Sequence, residues 1–68
     1  MPNHNLAVFW FRKAANSGSK YAMYNLGLCY LNGEGLMADK KAARKWFKKA
    51  ADLGHEEAKR ILSSRDFD

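Results

Sequence analysis

An internal repeat constrains this chain more than any other feature in it. The stretch Trp10-Phe11-Arg12-Lys13-Ala14-Ala15-Asn16-Ser17-Gly18 returns as Trp46-Phe47-Lys48-Lys49-Ala50-Ala51-Asp52-Leu53-Gly54, at an offset of 36 residues. The same offset carries Ala7 onto Ala43, Ala22 onto Ala58 and Leu26 onto Leu62. A period of that length is too long for one helix and suits a helix–turn–helix unit. Units of this kind bury their faces only against their neighbours.

The residue types decide that the unit is helical. Val8 and Ile61 are the only β-branched side chains, Thr is absent, and Ala, Lys, Arg, Leu and Met dominate. Sheets favour the first group and helices the second. Pro2 is the only proline, so no helix interior is interrupted. Gly18 and Gly54 each follow an apolar-periodic run, where a left-handed residue ends a helix. The pattern predicts four helices over about 4–16, 19–32, 39–52 and 55–63. In the third, Ala42, Ala43, Trp46, Phe47, Ala50 and Ala51 gather on one half of the wheel and the cations on the other, with Asp39 as N-cap. The second is apolar nearly all round, which predicts burial on more than one side, and Gly27 there lets another helix approach. Asn32-Gly33-Glu34-Gly35-Leu36 then turns the chain.

Size and chemistry exclude much else. A single domain of 68 residues buries only about 60% of the surface its unfolded chain exposes, so its core is marginal. Lone Cys29 excludes an intrachain disulfide, and with the distant His4 and His55 it makes no zinc site. The longest apolar run, Leu6 to Phe11, falls far short of the roughly 20 residues that span a bilayer. No secretory pattern stands at the N-terminus, so a cytoplasmic setting without membrane contact is expected. His4 and His55 fall at helix starts, where solvation or capping is the ordinary outcome, and Cys29 falls on a packed flank as a small hydrophobe. Gly33-x-Gly35-x-x-Ala38 echoes a dinucleotide fingerprint, but a helix precedes it rather than a strand, which makes it a turn. No catalytic residue, metal, cofactor or small-molecule substrate is expected, and the chain is not read as an enzyme.

The series Ala22-x-x-x-Leu26-Gly27-x-x-Tyr30-x-x-Gly33-x-Gly35-Leu36-x-x-Asp39-x-x-x-Ala43-x-x-Trp46-x-x-x-Ala50-Ala51-x-x-Gly54 resembles the Sel-one-like repeat, a relative of the tetratricopeptide repeat, over 33 consecutive residues. The resemblance implies an all-α fold, a fragment of an α/α solenoid made of two helical hairpins. It also implies a protein–protein interaction module, an adaptor or scaffold. Within the single domain 1–68, residues 3–18 then read as the second helix of a preceding partial repeat and 19–54 as one complete repeat. Residues 55–63 read as the first helix of a following partial repeat and 64–68 as a frayed tail, so that the whole looks like a minimal or excised array.

Three surfaces are candidates for binding. Tyr21, Tyr24, Asn25 and Leu28 lie on the second helix, and first helices line the concave, peptide-binding face of helical arrays. Val8 and Phe9 replace Arg44 and Lys45 of the other copy, on what should be the outer half of the helix. With Leu6 and Trp10 they predict an exposed apolar patch and self-association as a homo-oligomer. By repetition, Trp10, Phe11, Ala14 and Ala15 also read as core, like their counterparts in the third helix. Lys40, Lys41, Arg44, Lys45, Lys48 and Lys49 form a basic face in a chain of net charge +5. Its ordinary reading is a solvated helix surface. The functional readings are an acidic protein partner or, as the alternative function, nucleic acid, against which counts the lack of aromatics among the lysines.

Overall fold

A computed structural model describes residues 4–64, which form four helices and, among the described residues, no strand. They are α1 (His4–Asn16), α2 (Lys20–Asn32), α3 (Lys40–Asp52) and α4 (Glu56–Ser63). Each packs on the next in chain order, so α2 lies between α1 and α3, and α3 between α2 and α4. Apart from Ser64, the expected tail 64–68 lies outside the described residues, as do residues 1–3.

The repeat is visible in how the helices end. At the close of α1 the Gly18 N–H donates to the Ala15 carbonyl at 3.0 Å and the Ser19 N–H to that of Ala14 at 3.1 Å. Thirty-six residues on, Gly54 donates to Ala51 at 2.9 Å and His55 to Ala50 at 3.0 Å. Both are Schellman closures, and both put glycine at positive φ, 100° at Gly18 and 91° at Gly54. The residue after each glycine then caps the following helix. Ser19 Oγ accepts from the Ala22 N–H at 3.3 Å and His55 Nδ1 from the Ala58 N–H at 3.2 Å, while in α3 the cap is Asp39, whose Oδ1 accepts from the Lys41 and Ala42 N–H groups at 3.1 and 3.2 Å. The loop into α3 is tied back by the Asp39 N–H, which donates to the Tyr30 carbonyl at 2.8 Å.

Phe47 and Leu26 are the largest fully buried side chains. Around them lie Val8, Ala15, Ala22, Met23, Cys29, Ala43, Ala50 and Ala58. The alanines let backbones approach, and the aromatics fill what is left. Gly27 is the tightest point, because a Cβ built there would stand 2.6 Å from Phe47 Cε1 and 2.7 Å from Cδ1. The helix that Gly27 admits is therefore α3, through the ring of Phe47.

Two expectations are corrected here. Val8 is buried, at 7% exposure, and is not part of an outer patch. Its repeat mate Arg44 is exposed, because among the described residues α3 meets the eight-residue α4 on that side, whereas α1 runs against the 13-residue α2. Trp10 is not core: it is 56% exposed, while Trp46 is half-buried. The cause is the same inequality of neighbours, since α3 is packed on both flanks and α1 on one.

Replacing Gly27 by Ala improves helix propensity by about 1 kcal/mol. Overpacking a fully buried ring costs typically 1–3 kcal/mol. Gly27→Ala is therefore expected to be net destabilising, by up to about 2 kcal/mol, read as a lower urea midpoint by circular dichroism. An unchanged or raised midpoint contradicts the close packing described.

Candidate protein-binding surface

The outer side of α1 carries Leu6, Phe9, Trp10 and Lys13, spaced i, i+3, i+4 and i+7 and so aligned in one stripe. Leu6 is 52% exposed and Phe9 54%, close to the value for Trp10. The two rings meet edge to face with centroids 5.3 Å apart. Lys13 Nζ stands 5.7 Å from each ring centroid, within cation–π range of both. Phe9, Arg12, Lys13 and Asn16 line a shallow depression beside the rings. Arg12 is held at its edge by donating from Nη2 to the Tyr30 hydroxyl of α2 at 3.0 Å. The opposite side of the same helix supplies Val8 and Ala15 to the core, so α1 is apolar on two sides.

On α2 the structure separates the expected binding residues. Tyr21 is 65% exposed, whereas Tyr24, Asn25 and Leu28 are half-buried. Tyr24 packs against Phe47, with centroids 5.6 Å apart, and stacks on His55 at 4.5 Å and 21° between planes. Tyr21 meets the same imidazole edge-on at 5.6 Å. Burial raises the Tyr24 phenol above its ordinary value, and the neighbouring Glu57 carboxylate adds to this by accepting its hydrogen bond and by its charge. The fold favours the protonated phenol, so the stability from this contact is held below the ordinary value of 10.0 and lost as pH rises beyond it.

His55 stands where the repeat places Ser19, and it performs the same service with a nitrogen. Its Nδ1 accepts from the Ala58 N–H at 3.2 Å, which requires that Nδ1 carry no proton. Sequence reading reached the cap but not the stack on Tyr24, which depends on how α4 lies against the earlier helices. The Lys13 cation over two rings was also missed. Its signal is the recurrence of Trp–x–x–Lys, since Lys49 Nζ lies 4.8 Å from the Trp46 centroid.

Lys40, Lys41, Arg44, Lys45, Lys48 and Lys49 are all exposed along α3. Trp46 is half-buried against the core, with Lys49 of this face over its ring. Burial, with the Glu34 carboxylate adding to it, pushes the Cys29 thiol up, the reverse of what a nucleophile needs. Among the described residues no group of His, Cys, Asp and Glu side chains could hold a metal ion. In that same part of the chain no helix is long and apolar enough to cross a membrane.

The family described as Sel1 repeat matches residues 1–19 and 20–55. The chitin synthase regulator SKT5 of Saccharomyces cerevisiae is 39% identical over 64 residues, which is 94% of this chain and 9% of that protein. Chitin synthase regulatory factor 3 of Schizosaccharomyces pombe is 35% identical over 63 residues, 93% of this chain and 7% of that one. The DAP3-binding cell death enhancer 1 of Rattus norvegicus is 36% identical over 56 residues, 82% of this chain and 11% of the relative. The chain thus spans about a tenth of the length of these relatives. No solved structure matches it.

Loss of an N-cap acceptor costs about 1 kcal/mol. His55→Ala is expected to destabilise by that amount or more, since the stack on Tyr24 goes too. His55→Asn restores the acceptor and should recover most of the cap contribution. Thermal unfolding of the three proteins checks this, and an H55A midpoint equal to that of the parent would contradict the capping role.

Proposed function

The chain belongs to the Sel1 repeat family, and from that premise we infer that it is a protein-binding module, an adaptor or scaffold, that docks a partner on the outer stripe of α1. Sel1 repeats generally mediate protein–protein interaction. Two of the relatives carry the names of regulators of an enzyme, which fits such a module. The observation that carries the reading is the cluster of Leu6, Phe9 and Trp10, three large apolar side chains more than half exposed on one helix face. Large exposed aromatics with few rotors are efficient contact residues, and contiguous apolar patches on small proteins mark interfaces. Tyr21 extends the reading to the start of α2, where Tyr24, Asn25 and Leu28 are half-buried and offer less surface to a partner.

Selection of a random peptide library on the immobilised chain tests the reading. Peptides enriched on the parent protein should lose at least about tenfold in affinity with Phe9→Lys, a loss of about 1.4 kcal/mol. Lys45→Ala, at the matching position of α3, should leave them bound. Peptides that bind the Phe9→Lys protein equally well would remove α1 from the function.

The exposed basic face supports a second reading, nucleic-acid binding along α3. It requires a gel shift at low salt that weakens steeply as salt rises and disappears when Lys41, Arg44, Lys45 and Lys48 are changed to Glu. Without a shift at low salt this second reading falls.

A further inference from the structure

The two outermost helices among the described residues, α1 and α4, differ in chemistry, and the difference bears on what can cover α1. At the far end, α4 turns Ala58, Ile61 and Leu62 toward α3 and leaves Glu56, Glu57, Lys59, Arg60 and Ser63 exposed. Among the described residues, that outer surface offers no large exposed apolar side chain with which a second copy, stacked head to tail, would bury Phe9 and Trp10. Ser63 also occupies the place of Gly27 in the repeat, where a Cβ would stand 2.6 Å from the ring that rests there. Two α1 helices paired face to face would offer each other no opposite charge, since the helix HNLAVFWFRKAAN contains Arg12 and Lys13 and no carboxylate.

The charge beside the rings states what the stripe does fit. Lys13 Nζ is held over Phe9 and Trp10. With Phe9, Arg12 and Asn16 it lines the depression, so two cationic side chains and an amide flank a mostly apolar hollow beside the rings. Arg12 gives one donor to Tyr30 and keeps others for a ligand.

We propose that the outer stripe of α1 binds an acidic amphipathic helix of another protein. Its apolar residues would cover Leu6, Phe9 and Trp10, and one of its carboxylates would sit in the hollow of Arg12, Lys13 and Asn16. This rests on the protein-binding reading above and adds the chemistry of the partner. Apolar contact gives the affinity, and the rim charges select acidic over basic helices and speed encounter.

Three labelled helical peptides with one shared apolar stripe, carrying Glu, Gln or Lys at the flanking positions, test it by fluorescence anisotropy with the whole chain. The Glu peptide should bind about tenfold tighter than the Gln peptide at low salt, and the gap should close as salt is added. Lys13→Glu leaves the Arg12–Tyr30 bond in place and should remove the preference for Glu. Phe9→Lys should weaken all three. Equal binding of the three peptides overturns the acidic partner while leaving a protein-binding surface. Binding of none, by a chain that light scattering shows to be monomeric, overturns both. A dimer that forms with concentration and is lost in Phe9→Lys makes a second copy the occupant and overturns the proposal.

Discussion

The ring of Phe47 lies against the bare backbone of Gly27, and the spacing of α2 and α3 is set by that contact. A β-carbon on α2 would hold the two helices apart by most of an atom's width. Its absence lets a fully buried ring fill the seam, with roughly 1.5–3 kcal/mol from the transfer of that side chain out of water. The consequences run outward. Tyr24 settles beside Phe47, its other neighbour is the His55 imidazole, and His55 in turn caps α4. One missing methyl group thus reaches the fourth helix through two aromatic contacts and a hydrogen bond. In a chain without a disulfide, such linkage is what makes four short helices hold together.

Much of this was legible because repetition and local chemistry agree. Helix boundaries followed from Gly18, Gly54 and Asp39, whose roles depend on backbone dihedrals and hydrogen bonds within a few residues. Those features need no knowledge of what lies across the fold. The close approach at Gly27 was readable for the same reason, as a glycine in an otherwise apolar helix. The ring that enters there was not, since several aromatics fit the same description.

The errors arose where equal positions have unequal neighbours. Val8 and Arg44 share a place in the repeat, and a charged mate suggested an exposed Val8. Burial is decided by the opposing helix, and α2 runs 13 residues against α1 where α4 has eight against α3. Trp10 and Trp46 show the reverse case, one identity with two environments. Sequence periodicity assigns a residue to a face; only the length and number of packed neighbours decide whether that face is covered. Val8 and Trp10 were therefore divided wrongly between core and solvent, while the cations of α3 are exposed as their side of the helix implies.

The same inequality gives the molecule a direction. The seams between the described helices are lined by alanine with aliphatic and aromatic side chains, and the outer side of α4 carries exposed charge. A helix whose outer side is polar can stand in water at little cost, as the terminal repeats of helical arrays do. Helix α1 has no such surface, because its second side repeats the chemistry of an interior seam with lysine and arginine set at the margin. Exposing that side leaves Phe9 and Trp10 hydrated, a cost relieved by any protein surface that is apolar in the middle and acidic at the edge. The stripe is therefore better suited to a particular partner than to a free surface, and Lys13, lying over both rings, is placed to discriminate among partners by charge.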